Sequence, residues 1–152
     1  MKQEFEIRDC KDHEIAKTLI REYSTIKGAE QCFVSLDKEL ADLDAYYEGG
    51  VLMIGFEHDR PVATVAIRKI DDTACEMKRL YIKPSDRGKG YARRLVDAVM
   101  ERARALGYQE VRLTTKPAVM GVAYALYKRL GFEETDNDGT TVSMRQSLTA
   151  SA

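Results

Sequence analysis

The sequence has few of the residues from which metal sites and disulfide frameworks are built. It contains no tryptophan, three cysteines (Cys10, Cys32 and Cys75) and two histidines (His13 and His58). The cysteines are odd in number and form no CxxC pair, and the histidines lack the HExxH spacing of a zinc-binding helix. We therefore expect neither a disulfide framework nor a bound metal, and we interpret these five residues as structural or incidental.

An excess of one charge and long apolar runs are also missing. The 24 lysines and arginines balance 25 aspartates and glutamates, which leaves a net charge of −1 at pH 7. This balance argues against a general nucleic-acid coat or a polybasic membrane binder. No segment reaches the roughly 20 apolar residues of a membrane-spanning helix, and the first residues lack the apolar stretch of a signal peptide. We expect a cytoplasmic protein that binds neither nucleic acid nor membranes.

The composition that remains is that of a folded protein. The chain has 152 residues, of which 44% are hydrophobic and 32% are charged. A chain of this length matches one domain and can bury enough surface to fold without cross-links. We expect a single domain over residues 1–148 and a frayed tail over residues 149–152.

The spacing of apolar residues predicts the elements of the first half of the chain. A strand is predicted over residues 4–8, followed by a helix that Asp12 caps and Gly28 ends. A second helix is predicted over residues 35–47. Three strands joined by short turns are then predicted within residues 51–82, as an antiparallel meander.

The second half is predicted to alternate between helices and strands. A helix over residues 88–106 leads to a strand over 111–115, and a shorter helix over 123–130 leads to a final hairpin. Because a helix connects the strand over 75–82 to the strand over 111–115, these two strands should be parallel. The fold class is therefore α/β, with one central mixed, mostly antiparallel sheet and helices on both faces.

The strand-to-helix junction within residues 81–94 carries the clearest chemical signal. Gly88 and Gly90 permit a tight turn, and the amides at a helix start attract phosphate. Four cations crowd positions 87 to 94 without an acidic residue among them: Arg87, Lys89, Arg93 and Arg94. Cations oppose the helix dipole there, so we expect a bound anion. The alternative is a glycine turn capped by Asp86 with a solvated basic helix face.

Two segments resemble motifs of the GNAT superfamily of N-acetyltransferases. Residues 87–92 (RGKGYA) resemble its [Q/R]-x-x-G-x-[G/A] loop, and residues 123–132 (AYALYKRLGF) resemble its A-x-x-L-Y-x-x-x-G-F signature. Residues 76–82 (EMKRLYI) resemble the strand before that loop in small bacterial members, whereas Met120 departs from the signature's usual asparagine. The resemblance implies the GNAT acyl-CoA N-acyltransferase fold, with acetyl-CoA as co-substrate and an amine as acceptor.

The resemblance also assigns the co-substrate site to two neighbouring segments. The loop would hold the pyrophosphate of acetyl-CoA, through Arg87, Gly88, Lys89, Gly90, Tyr91 and Ala92. The preceding strand would pair with the pantetheine arm through the main chain of Leu80, Tyr81 and Ile82. A backbone amide of that strand would donate to the thioester oxygen as it becomes negative.

Two side chains are candidates for proton transfer. The resemblance implies that Tyr127 donates a proton to the leaving thiolate. The alternative is a core residue, since Tyr127 lies on the apolar helix stripe of Ala123, Leu126 and Leu130. Glu76, at the start of the strand that enters the co-substrate site, is our candidate for the base that deprotonates the amine. The alternative for Glu76 is a surface carboxylate paired with Lys78 or Arg79.

The acceptor side is the least specified part of the sequence. Five acids gather with only Lys38 opposing them, namely Asp37, Glu39, Asp42, Asp44 and Glu48. They would suit a cationic acceptor, but a solvated helix face is the favoured interpretation. Tyr46 and Tyr47 either wall an acceptor pocket or pack in the core.

The leading hypothesis is an N-acetyltransferase that acts on a primary amine of a small molecule or peptide, by direct attack in a ternary complex. The alternative is a non-catalytic module that binds acyl-CoA as a sensor or interaction partner. Such a module would keep the basic loop but would not need Glu76 or Tyr127. The resemblance also suggests a homodimer.

Overall fold

A computed structural model of the chain describes residues 4–26 and 35–148. The strands are β1 (Phe5–Asp9), β2 (Val51–Glu57), β3 (Arg60–Lys69), β4 (Ala74–Ile82), β5 (Glu110–Thr115), β6 (Glu133–Asn137) and β7 (Val142–Ser147). The helices are α1 (His13–Ser24), α2 (Leu36–Ala41), α3 (Leu43–Tyr46), α4 (Tyr91–Ala105) and α5 (Gly121–Arg129). None of these described helices is both long and apolar enough to cross a membrane.

The strands form one sheet in the order β1-β2-β3-β4-β5-β7-β6. β4 and β5 are parallel, and every other neighbouring pair is antiparallel. The predicted mixed, mostly antiparallel sheet is therefore confirmed, as is the parallel pairing across the central helix. This pairing joins the beginnings of β4 and β5, over residues 74–76 and 110–112.

Two apolar clusters cover the two faces of the sheet. Leu95 and Val99 of α4 and Tyr127 of α5 belong to the cluster on one face. Leu19 of α1 and Leu43 of α3 belong to the cluster on the other face. Because side chains alternate along a strand, β2, β3 and β4 supply both clusters, whereas β5 and β7 supply only the α4 cluster. The prediction of helices on both faces is confirmed.

The prediction of one continuous helix over residues 35–47 is wrong, because two short helices occupy this segment. Asp42 is extended (φ −154°, ψ 90°), and its carboxylate accepts a hydrogen bond from the N–H of Ala45 at 3.1 Å. A side chain that caps a new helix competes with continuation of the old one, so α2 ends and α3 begins here. Asp12 caps α1 as predicted, through the N–H of Glu14. The predicted stop at Gly28 and the tail over 149–152 lie outside the described residues.

The start of α4 also differs from the prediction. The helix begins at Tyr91 and not at Gly88, because Gly88 and Gly90 have φ values of 81° and 82°. Left-handed backbone cannot continue a right-handed helix. Gly90 is the N-cap, and no side chain caps the helix, so Asp86 does not have the capping role considered for it.

Candidate active site

A gap opens between β4 and β5 soon after they begin to pair. Their parallel ladder has three residue pairs, from Ala74 with Glu110 to Glu76 with Arg112. β4 then continues to Ile82 and β5 to Thr115 without pairing with each other. Backbone N–H and C=O groups that a strand turns toward such a gap need another partner, and an extended polar chain can supply it.

The glycine loop lies beside the open end of this gap. A 3₁₀ turn over Pro84–Asp86 follows β4, and the two glycines follow the turn. A Cβ atom built on Gly88 or Gly90 would meet nothing within 4 Å, so both glycines face open space. The N–H groups of a first helical turn have no intrahelical acceptor, and those of α4 start at this loop. The loop can therefore cradle a phosphate.

The cations of the loop are better compensated than the sequence indicated. Lys89 Nζ lies 2.9 Å from a Glu57 oxygen and 3.5 Å from an Asp86 oxygen. The argument from uncompensated charge is therefore wrong for Lys89, because its partners come from β2 and from the 3₁₀ turn. Arg87 and Arg94 instead donate to backbone carbonyls, at 2.8 and 3.0 Å. Within the described residues neither has a carboxylate partner, so their charge remains for an anionic ligand.

Two buried carboxylates connect the loop to the neighbouring strands. Asp86 is 2% exposed and bonds Arg60 at 2.7 Å, and this arginine holds the pKa of Asp86 below its ordinary value. Hydrogen bonds from Tyr91 and Lys89 lower the pKa of Glu57 in the same way. Both carboxylates are therefore ionised at neutral pH and fix the base of the loop to β2 and β3.

The β4 segment that would face the co-substrate contains a bulge. Arg79 has a φ of 62°, and its guanidinium pairs with Glu39 of α2 at 2.5 Å. Glu39 is completely buried. The pairing of Glu76 with Arg79, considered as an alternative, is therefore wrong, because Arg79 is bound to Glu39.

Tyr127 lies in the core on α5. Its ring meets that of Phe132 edge to face, with centroids 5.8 Å apart. Burial raises the pKa of Tyr127 well above its ordinary value. The phenol therefore stays protonated at neutral pH, as a proton donor must. The structure thus places Tyr127 in core packing, and its proton-transfer role stays a hypothesis.

Glu76 lies at the last residue pair before the gap, opposite Arg112. Its carboxylate is partly exposed and lies 4.0 Å from Lys78 Nζ, a distance at the limit of an ion pair. A cavity of about 480 Å³ opens beside it on the face away from α4, lined also by Arg112, Ser143 and Arg145. Glu76 is therefore accessible from the side of the sheet opposite the α4 cluster.

Thr115 ends β5 at the open side of the gap. It alternates with Val111 and Leu113, which belong to the α4 cluster, so its side chain faces the same side of the sheet. Its residue is 3% exposed, and its hydroxyl has no hydrogen-bond partner within the described part of the chain. Buried hydroxyls are normally bonded, so this one is a candidate ligand contact.

The acids of the acceptor side do not form one cluster. Glu39 is buried against Arg79, and Asp42 caps α3. Asp44 is exposed and contacts His13 at 3.2 Å. The favoured interpretation of these acids as one solvated helix face is therefore wrong for Glu39. These described acids also do not come together as one acidic pocket for a cationic acceptor.

The two adjacent tyrosines, Tyr46 and Tyr47, are buried and pack in the core on the α1–α3 face. Tyr46 lies under the Arg68 guanidinium, which is 3.8 Å from the ring centroid, and accepts a hydrogen bond from Lys78 at 3.0 Å. Tyr47 donates to Glu39 at 2.5 Å. Both rings therefore help to hold charged side chains on the α1–α3 face of the sheet.

The described cysteines are poor candidates for chemistry. Burial raises the pKa of Cys10 to about 11 and that of Cys75 to about 12, so neither is a thiolate at neutral pH. Cys32 lies outside the described residues. Within the described ranges, no three His, Cys, Asp or Glu side chains are placed to hold a metal ion.

Sequence reasoning misinterpreted Glu39 and missed Thr64 and Thr115. Glu39 could have been found, because it falls on the same helical stripe as Leu36, Leu40 and Leu43, where a charged residue predicts a buried partner. No sequence signal distinguishes Thr64, which bonds the bulge, or Thr115 from other threonines in strands.

Comparison with known proteins identifies the class and then the family. The family model for the acetyltransferase (GNAT) family matches residues 13–132. An uncharacterized N-acetyltransferase of Schizosaccharomyces pombe is 33% identical over 124 residues, which cover 79% of this chain and 76% of that protein. Human N-acetyltransferase 8B is 31% identical over 110 residues, 67% of this chain but 48% of that protein.

Solved structures agree with this fold. An acetyltransferase from Salmonella typhimurium with acetyl-CoA has a TM-score of 0.78 at 20% identity, over 98% of this chain and 96% of that one. A GNAT-family acetyltransferase from Staphylococcus aureus has a TM-score of 0.80 at 16% identity, over 96% and 100%. Fold and sequence thus define an acyltransferase enzyme. The chain belongs to the GNAT family of N-acetyltransferases.

Proposed function

We propose that the protein transfers the acetyl group of acetyl-CoA to a primary amine of a small molecule or peptide, by direct attack in a ternary complex. The observation that carries this proposal is the β4–β5 gap with the glycine loop at its open end. The gap suits an extended pantetheine arm, and the loop suits a pyrophosphate. The open space at Gly88 and Gly90 and the unpartnered Thr115 hydroxyl support the fit.

Each protein group has a distinct task in this proposal. Acetyl-CoA supplies an activated thioester. The backbone of Leu80, Tyr81 and Ile82 pairs with the pantetheine arm, and the Leu80 N–H donates to the thioester oxygen as its negative charge grows. The loop over residues 87–92 holds the pyrophosphate, with Arg87 adding charge.

Proton transfer needs a donor and an acceptor of protons. The leaving thiolate has an ordinary pKa of about 8.5, so a proton donor assists its departure. We assign the donor role to Tyr127 because it occupies the tyrosine position of the A-x-x-L-Y signature, and its phenol is protonated at neutral pH. Glu76 takes the proton of the attacking amine, directly or through a water molecule. It approaches from the cavity on the opposite face of the sheet.

The test is thiol release from acetyl-CoA with a panel of amines: polyamines, amino acids, aminoglycosides, and peptides with free α-amines or lysines. We expect one amine class to accelerate release, and Tyr127→Phe to abolish most of that acceleration. Calorimetric binding of acetyl-CoA without turnover of any amine would instead favour the non-catalytic acyl-CoA module. Absence of acetyl-CoA binding would refute both. The homodimer, the cytoplasmic location and the single domain over residues 1–148 stay predictions.

A further inference from the structure

The bulge of β4 is a strained element in the wall of the proposed site. Between the pairs Thr64–Tyr81 and Ala66–Lys78, β4 has two residues where β3 has one. The first of those two, Arg79, has a φ of 62°. Left-handed backbone is unfavourable for a residue other than glycine, and it persists only where surrounding contacts impose it.

One such contact is made by the Arg79 side chain. Its Nε lies 3.0 Å from Glu39 Oε2 and its Nη2 lies 2.5 Å from Glu39 Oε1, a two-pronged arrangement. Tyr47 donates a further hydrogen bond to Glu39 at 2.5 Å. A buried ion pair is weak evidence for added stability but can select one conformation. Glu39 therefore pulls the Arg79 side chain toward α2.

A second contact orients the peptide itself. The Thr64 hydroxyl donates to the carbonyl oxygen of Arg79 at 2.7 Å. In a planar trans peptide the C=O and the following N–H point in opposite directions. The N–H of Leu80 therefore points away from Thr64 and β3, toward the side where β5 has separated from β4.

We propose that Glu39, Arg79 and Thr64 are positioning residues that fix the Arg79–Leu80 peptide so that the Leu80 N–H is presented to the acyl oxygen in the gap. This inference rests on the proposed function for the identity of that oxygen. The two contacts act from opposite ends of one residue, on its side chain and on its carbonyl. In this arrangement, neither Glu39 of α2 nor Thr64 of β3 touches the substrate.

The decisive variant removes the ion pair without leaving a buried charge. Replacing both charges with apolar residues of similar size, as in E39L/R79M, is often neutral or stabilising. We expect kcat for thiol release to fall about 10- to 100-fold, while KM for acetyl-CoA stays within about twofold. This fall is smaller than the roughly 100- to 1000-fold seen when an oxyanion donor is removed, because the Leu80 N–H is displaced and not lost. The thiol-release assay uses the most reactive amine of the panel as acceptor, or water if no amine reacts.

Two further variants separate positioning from stability. Val99→Ala, in the buried part of α4, lowers stability without touching the bulge, and kcat should be unchanged in the folded protein. E39L/R79G should recover most of the lost kcat, because glycine adopts the left-handed backbone without the ion pair. A wild-type kcat in E39L/R79M, or equal losses in all three variants, would overturn the inference.

A measurement without turnover keeps the two proposals distinguishable. In amide NMR spectra, E39L/R79M and Thr64→Val should shift the Leu80 resonance. The backbone shifts of position 79 in E39L/R79M should no longer be those of left-handed backbone. Val99→Ala should leave both unchanged. If the wild type fails to bind acetyl-CoA, the proposed function fails, and these spectra still test the positioning. Unchanged bulge resonances in E39L/R79M would reject the positioning alone.

Discussion

The two halves of the candidate co-substrate site take their backbone shape from different sources. The glycine loop after β4 takes its shape from local backbone conformation, with Gly88 and Gly90 at positive φ and the start of α4 directly behind them, while Glu57 and Arg60 hold its base to β2 and β3. The bulge inside β4 depends on Glu39, forty positions earlier in the chain, and on Thr64 in the neighbouring strand. One site can therefore combine a contiguous six-residue motif, the glycine loop, with a feature that forms only when distant segments pack together, the β4 bulge.

The first prediction concerns the chemistry that both halves serve. Tyr127→Phe should lower kcat about 10- to 1000-fold, because the leaving thiolate loses its proton donor. KM for acetyl-CoA should change little, since the hydroxyl is not part of the loop. Steady-state kinetics at saturating amine measure both constants. An unchanged kcat would reduce Tyr127 to a packing residue against Phe132.

The second prediction concerns the candidate base. If Glu76 accepts the amine proton, the wild-type kcat should decrease at acid pH, where a carboxylate base is protonated. Glu76→Gln should be slower than the wild type at neutral pH, and its kcat should no longer show this decrease. The pH dependence of kcat measures this. Glu101→Gln, an exposed carboxylate on α4, is the control and should keep the wild-type profile. A pH dependence of kcat in Glu76→Gln identical to that of the wild type would mean that Glu76 is not the base.

The third prediction tests the loop half by itself. Gly90→Ala places a Cβ in the open space of the loop at a φ of 82°, so calorimetry should show acetyl-CoA binding weakened about tenfold or more. Gly107→Ala is the matched control, because Gly107 has a φ of 92° and equally open surroundings at the far end of α4. It should lose similar stability and keep its affinity. Equal affinity losses in both variants would mean that backbone strain alone explains the effect.

The fourth prediction concerns the unpartnered hydroxyl on β5. Thr115→Val should leave the unliganded protein as stable as the wild type or slightly more so, because an unpaired buried hydroxyl is unfavourable. KM for acetyl-CoA should rise about threefold to tenfold, as for one lost hydrogen bond. Thr114→Val, on the exposed face of the same strand, should leave this KM unchanged. A destabilised Thr115→Val with normal KM would assign the hydroxyl a structural partner.

The smallest expected effect concerns the carboxylates under the loop. The folded-state pKa values of Asp86 and Glu57 are lowered, by Arg60 and by Tyr91 respectively. Their stabilisation is thus present above the ordinary values of about 4 and is lost as pH falls through the lowered ones. Urea unfolding of Asp86→Asn should therefore lose less stability between pH 7 and pH 3 than the wild type. Asp97→Asn, exposed on α4, should lose as much as the wild type.

The sequence by itself determined the order of elements and the loop half of the site. β2, β3 and β4 lie within the residues 51–82 predicted to form three strands, and the Asp12 cap and the parallel β4–β5 connection are confirmed. These features depend on spacing and turn residues that lie close together in the chain. The loop motif is similarly contiguous, so its resemblance could be recognised without a structure.

Only the tertiary structure decided which charges are buried and where the gap opens. Glu39 was interpreted as solvated because its neighbours in the chain are acidic, whereas its partner Arg79 comes from β4. The separation of β5 from β4 after Glu76, and the unpartnered hydroxyl of Thr115, depend on how strands pack rather than on what each contains. Contacts between distant segments have no local signature, because burial and pairing are properties of the assembled sheet.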